Sequence, residues 1–95
     1  MRRLLVSTPK FKRSYRKLIR HDAVLARRVE DALVAMQEDV YAPALGTHKL
    51  SGELQGLRAS SCGYDCRIVF SIEPNLEGEG EVIVLLDIGK HDEVY

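Results

Sequence analysis

The sequence predicts an α+β domain: an N-terminal helical hairpin packed on one face of a mainly antiparallel four-stranded sheet, in the order β-α-α-β-β-β. Three observations carry that expectation. Two amphipathic stripes with helical period occupy the N-terminal half, and after a short opening strand the β-rich runs fall within residues 55–88. The length of 95 residues and mass of 10.7 kDa leave room for a single domain, residues 1–95. A chain of this size buries somewhat over ~60% of its unfolded surface, enough for one modest core.

Met1 to Ser7 alternates at Leu4 and Val6 and reads as a short strand. Thr8-Pro9 supplies a helix cap and a proline at the first helical position, where a missing N–H costs nothing. Phe11, Tyr15 and Leu18, with Ile19 beside them, form the apolar stripe of the first helix. Asp22 caps a second, whose stripe is Leu25, Val29, Ala32, Leu33 and Met36; Arg27, Arg28, Glu30 and Asp31 lie outside. A short turn at Arg20-His21-Asp22 closes the hairpin. Residues 42–56 form the one long irregular segment, broken by Gly46, Gly52 and Gly56.

Three β-rich runs follow: Gln55 to Cys62, Tyr64 to Glu73 and Glu81 to Ile88, the first two joined by a tight turn at Gly63. In the second run Ile68, Phe70 and Ile72 face one side, with Asp65, Arg67, Val69 and Ser71 on the other. The third, through Val82-Ile83-Val84-Leu85-Leu86, is apolar on both faces, as a central strand is. The expected core is Phe11, Leu18, Leu25, Val29, Leu33, Ile68, Phe70, Ile72, Val84 and Leu86.

Hydrophobic residues at 45% and charged residues at 29% exclude a disordered or collagen-like chain. No apolar run is long enough to cross a bilayer, so no membrane association is expected. Leu4-Leu5-Val6, bracketed by cations, is no secretory signal. With no export signal, Cys62 and Cys66 are expected to be reduced thiols in a cytoplasmic protein. They lack the two further ligands a zinc site needs, so no metal and no cofactor is expected. The net charge of zero conceals a polarity. Residues 1–20 hold eight Lys or Arg (Arg2, Arg3, Lys10, Lys12, Arg13, Arg16, Lys17, Arg20) and no acid, leaving six cations and all 14 acids for the remainder. Such an end binds a polyanion despite overall neutrality, unless it is merely a solvated helix face.

Phosphate-loop, GxSxG, HExxH and EF-hand motifs are absent. Polar residues gather in the C-terminal half instead: His48 and Lys49 in the loop, Arg58 on the first sheet run, and Asp65 and Arg67 on the second. Lys90, His91 and Tyr95 follow the last strand, after Gly89 breaks it. Taken singly, each reads as surface polarity or local pairing. Together they comprise cations for a phosphate, imidazoles for proton transfer and an aromatic for base stacking. That set suits RNA cleavage, where the 2′-hydroxyl is a built-in nucleophile and no metal is required.

At these residues the sequence resembles the toxins of bacterial type II toxin–antitoxin systems, in the RelE/ParE superfamily and nearest its RelE and YafQ branch. The likeness runs through FKRSYRKL, HKLSGELQGLR, GYDCRIVFSI and VLLDIGKHDEVY, the last being the most specific. It implies a RelE-like microbial RNase fold and a ribosome-dependent endoribonuclease that cuts mRNA in the ribosomal A site. It also implies a cognate antitoxin whose disordered segment wraps the toxin, and contact with operator DNA only through that antitoxin. Carried over residue by residue, Arg58 contacts the scissile phosphate and His48 is the loop histidine, with Lys49 beside it. Asp65 is the hairpin aspartate, His91 the tail general acid and Tyr95 the stacking aromatic. Arg67 matches a frequent strand arginine whose role is either structural or RNA-binding. The branch's second histidine is replaced within Ala59-Ser60-Ser61-Cys62.

Two other readings share the fold. One is a ParE-like inhibitor of DNA gyrase, which has no need of paired proton-transfer groups. The other is a catalytically weak antitoxin-binding co-repressor, consistent with the missing histidine. On the nuclease reading, the basic helix contacts ribosomal RNA or an acidic antitoxin segment without reading sequence. Replacing Lys12, Arg13, Arg16 and Lys17 together by Gln is expected to weaken that binding and flatten its salt dependence, because each phosphate contact releases counterions. Binding measured across a salt series checks this, and an unchanged slope would leave the helix as a solvated face.

Overall fold

Thr8 joins the first strand to the first helix through a single hydroxyl. In the computed structural model, which describes residues 3–63, 65–90 and 94, that oxygen accepts the Phe11 N–H at 3.2 Å and donates to the Leu85 carbonyl at 2.8 Å. It thereby caps helix α1 (Pro9–Ile19) and ties the end of strand β1 (Leu4–Ser7) to the sheet. Helix α2 (Ala23–Glu38) starts where the Asp22 carboxylate accepts the Leu25 N–H at 3.0 Å. Between the helices His21 adopts φ 71°, the left-handed conformation that reverses the chain.

Four further strands follow: β2 (His48–Lys49), β3 (Arg58–Ser61), β4 (Cys66–Pro74) and β5 (Glu81–Lys90). They assemble with β1 into one five-stranded sheet in the order β1-β5-β4-β3-β2. Only β1–β5 is parallel; the other pairs are antiparallel. The α+β class, element order and mainly antiparallel sheet match expectation, with one strand more. The addition, β2, lies in the segment read as irregular, because two residues are too few to show alternation.

The core lies on one face of this sheet. Phe11 of α1 and Val29, Ala32 and Met36 of α2, with Val40 and Leu45, pack on Ile68 and Phe70 of β4 and Ile83, Leu85 and Ile88 of β5. Both helices therefore cover the same face, with α1 lying mainly along β5. Leu18, Leu25, Leu33 and Ile72 border the core and are partly buried. Tyr15 stacks on Phe11 with ring centroids 6.1 Å apart. Burial, and secondarily the Glu30 carboxylate, raises the Tyr15 phenol above its ordinary pKa.

The expected placement of Val84 and Leu86 in the core is corrected. Val69 pairs Asp87 while Phe70 pairs Leu85, so Leu86 is the extra residue of a β-bulge. The inward set on β5 is therefore Ile83 and Leu85, then Ile88 beyond the bulge. Val84 aligns with Ser71 and Val6 on the opposite face.

The expected reduced thiols are also corrected: Cys62 and Cys66 form a disulfide across the mouth of the β3–β4 hairpin. The Cys62 N–H donates to the Cys66 carbonyl at 3.0 Å, and this pairing sets the two Cα atoms 5.0 Å apart, within bonding reach. Cysteine count and compartment said nothing of that local geometry. Gly63 within the turn has φ +140°, a conformation L side chains rarely adopt.

Strand directions convert the charge asymmetry of the sequence into a spatial one. The β4–β5 turn carries Glu73, Glu77, Glu79 and Glu81 at one end of the sheet, where Arg3 meets Glu81 at 3.1 Å. The C-terminal half of α1, with Lys17, reaches Gly89 and Lys90 at the other end. Replacing Leu85 by Ala is expected to destabilise the fold by about 2–5 kcal/mol, the usual range for a buried leucine. Leu86→Ala should cost distinctly less, because the bulge leaves that side chain half-buried. Urea denaturation of the two variants checks the bulge; equal losses would contradict it.

Candidate active site

His48 owes its position to the residue before it. The Thr47 hydroxyl donates to the Val40 carbonyl, which commits its one proton, so Ser60 Oγ donates to Thr47 Oγ1 across 2.7 Å. Ser60 is fully buried in β3. This chain of hydroxyls anchors the loop to the sheet at the point where β2 begins. Alternation then turns His48 to the face opposite Thr47 and Ser60, in line with Ala59 and Val69. His48 Nδ1 lies 3.0 Å from the Gly46 carbonyl. A carbonyl only accepts, so Nδ1 is the donor in this contact.

Arg67 lies on the same face, aligned with Ser61 and Gly89. Its Nη1 donates to the Cys66 carbonyl at 2.9 Å and to Ser61 Oγ at 3.3 Å, while Ser61 Oγ donates to the Gly63 carbonyl at 3.0 Å. The guanidinium is thus fixed at the hairpin mouth. Asp65 is exposed in the turn just before β4.

The register separates the other two cations from these. Lys49 pairs Arg58, and Arg58 pairs Phe70, which places both on the helix-bearing face at the sheet edge. There they line an open depression of about 570 Å³ with Leu50, Gln55 and Leu57 of the loop. Lys12, Arg13, Arg16 and Lys17 are exposed on α1, and Lys90 is exposed opposite Cys66 at the end of β5. Lys17 and Lys90 share a second depression of about 440 Å³ with Ser14, Asp87 and Val94. His91 and Tyr95, for which the family resemblance implies the general acid and the stacking aromatic, lie outside the described residues. Among the described residues no group of three His, Cys, Asp or Glu is close enough to hold a metal ion.

One residue of this region escaped the sequence reading. Asp87 stands opposite Val69, accepts the Ile88 N–H at 2.9 Å and meets Lys10 Nζ at 3.4 Å. It borders both the Lys17–Lys90 depression and a third lined by Leu54, Leu57, Val69 and Val94. The signal for it was a single acid inside an otherwise apolar strand, Val82 to Ile88.

Comparison with known proteins identifies the fold. No family model matches the chain, and no curated protein matches it by sequence. Solved structures do match, over nearly the whole length. The YoeB/ParE toxin of Agrobacterium tumefaciens superposes with TM-score 0.75 and 18% identity over 93% of this chain and 98% of that one. The DinJ–YafQ toxin–antitoxin complex of E. coli gives 0.72 and 12%, covering 100% and 99%. The RelBE2 toxin–antitoxin complex of Mycobacterium tuberculosis gives 0.68 and 19%, covering 96% and 100%. The chain therefore shares the α+β fold of these YoeB/ParE, YafQ and RelBE2 toxin structures.

Thr47→Val keeps the shape of the loop anchor but removes its hydroxyl. The loss is expected to destabilise the protein by about 1–3 kcal/mol, since the buried Ser60 hydroxyl is left without this partner. Thr47→Ser should restore most of it. Thermal denaturation of the two variants measures the difference.

Proposed function

We propose that this protein is the toxin of a type II toxin–antitoxin system and acts as a ribosome-dependent, metal-independent endoribonuclease on mRNA. The observation that carries the toxin reading is the likeness of fold, end to end, to structures named as toxins, two of them in complex with an antitoxin. The choice of RNA cleavage rests on the chemistry of His48, Asp65, Arg58, Arg67 and the tail HDEVY.

In this mechanism His48 or Asp65 takes the proton of the 2′-hydroxyl, and the resulting oxyanion attacks the adjacent phosphorus. Arg67, on the face of His48, and Arg58 with Lys49 at the sheet edge neutralise charge growing on the phosphorane. His91, as imidazolium, gives its proton to the departing 5′-oxygen, and Tyr95 stacks on a base. The products are a 2′,3′-cyclic phosphate, or its hydrolysed 3′-phosphate, and a 5′-hydroxyl. Lys12, Arg13, Arg16, Lys17 and Lys90 form a basic surface for ribosomal RNA. The partners are a cognate antitoxin and ribosome-bound mRNA in the cytoplasm, with operator DNA reached only through the antitoxin.

A second reading, inhibition of DNA gyrase, has one observation in its favour: the Agrobacterium neighbour is named both YoeB and ParE. Single-turnover cleavage of ribosome-bound mRNA separates the two. His91→Ala should lower the rate by about 10²–10⁴-fold, the usual contribution of a positioned proton donor. His91→Gln should fail nearly as badly, while antitoxin binding changes little. Of the arginines, Arg67→Ala should lose more rate than Arg58→Ala, because Arg67 shares the face of His48. Wild-type cleavage by His91→Ala would remove the tail from the chemistry and return His91 to an exposed surface residue.

A further inference from the structure

We infer that the Cys62–Cys66 pair is a redox-responsive clamp on Arg67, so that thiol–disulfide exchange regulates the site. The inference rests on the proposed function for its consequence, though not for its structural basis. Arg67 Nη1 donates to two acceptors of the ring or its flank: the Cys66 carbonyl at 2.9 Å and Ser61 Oγ at 3.3 Å. Each of those acceptors is itself held by the ring. The Cys66 carbonyl also accepts the Cys62 N–H at 3.0 Å, and Ser61 Oγ donates to the Gly63 carbonyl at 3.0 Å. Arg67 follows Cys66 directly, so the covalent bond, the backbone pairing and the guanidinium share one short stretch of chain.

Cys62 and Cys66 are only 3% and 4% exposed. Cys62 also borders an open depression of about 460 Å³ with Arg28 and Leu45, so the covalent bond, rather than close packing, is what holds the two strand ends together. Reduction therefore frees the turn that the bond closes, which loosens the Cys66 carbonyl and with it the hold on Arg67. The site is open to exchange because the ring closes a turn at the end of the β3–β4 pairing, with Asp65 exposed. Local opening of that turn suffices to admit a small thiol.

The chemistry balances with a low-molecular-weight disulfide such as oxidised glutathione. A Cys thiolate attacks one sulfur of that disulfide, forming a mixed disulfide and releasing one glutathione thiolate. The second Cys thiolate then attacks the protein sulfur and releases the other. Two electrons pass from the protein sulfurs to glutathione, the two thiol protons end on the released thiols, and one S–S bond forms in the protein as another is lost. Excess reduced glutathione reverses both steps. The oxidised protein is the competent form, because only then is the arginine fixed.

The test uses the full chain in oxidised and reduced glutathione buffers, with two readouts. The first is the NMR signal of the Arg67 side chain with hydrogen exchange of the Ser61, Asp65 and Arg67 amides. These should shift and lose protection on reduction. The second is single-turnover cleavage of ribosome-bound mRNA, which should fall about tenfold to a hundredfold, the scale of a small misplacement at a reacting centre. A Cys62→Ser/Cys66→Ser variant should run at the reduced rate in both buffers. Identical Arg67 signals and identical rates in the two buffers would overturn the clamp, leaving the disulfide a passive staple. A redox-dependent Arg67 signal in a protein that cleaves no RNA in either buffer would uphold the clamp and overturn the nuclease reading.

Discussion

Strand β5 is the constraint on which the rest of the structure depends. It pairs with β1 on one side and β4 on the other, and α1 is tied to it through the Thr8 hydroxyl. The bulge at Leu86 divides it into two functional parts. Before the bulge, Ile83 and Leu85 face the helices and secure the core. Beyond it the alternation is reset, so that Ile88 still faces the core while Asp87 and Gly89 turn to the face that carries Arg67. One inserted residue thus reconciles a continuous core with a polar working surface.

Much of the fold was legible because its signals are local. Thr8-Pro9 and Asp22 act as helix starts in the structure, and the alternation in β4 assigns Ile68, Phe70 and Ile72 to the core side and Arg67, Val69 and Ser71 to the other. Legibility failed where the period vanishes. Val82 to Leu86 is apolar throughout, so nothing in it distinguishes Ile83 and Leu85 from Val84 and Leu86. The two-residue strand β2 is shorter than one alternation. The disulfide depends on hairpin geometry, which the spacing of Cys62 and Cys66 permits without requiring it. At the site, sequence supplied the chemistry but not the side: the register alone aligns His48 and Arg67 on one face and turns Lys49 and Arg58 to the other. Asp87 lay inside the third β-rich run and was assigned no role.

The two ends of the sheet differ in charge, and that difference fits the proposed task. The acidic β4–β5 turn is repelled by nucleic acid, whereas the end with Lys17 and Lys90 is attracted, so a neutral molecule still has a preferred approach. Arriving basic end first, it presents the hairpin mouth with Arg67 and Asp65. The contact between His48 Nδ1 and the Gly46 carbonyl holds the imidazole in one orientation on that face. Hydroxyls of Thr47 and Ser60 and the ring at Cys62–Cys66 then act as two independent anchors, one for His48 and one for Arg67.

The central claim is that the chain itself cuts RNA by 2′-hydroxyl attack. It is tested most directly by the ends of the cleaved strand. Purified protein, ribosomes and a defined mRNA should give a 5′-hydroxyl on the downstream fragment and a 2′,3′-cyclic phosphate or 3′-phosphate upstream, the signature of an internal nucleophile. A 5′-phosphate would instead mean attack by water from outside the strand and would contradict the mechanism. Intact mRNA accompanied by inhibited gyrase supercoiling would contradict the nuclease assignment itself.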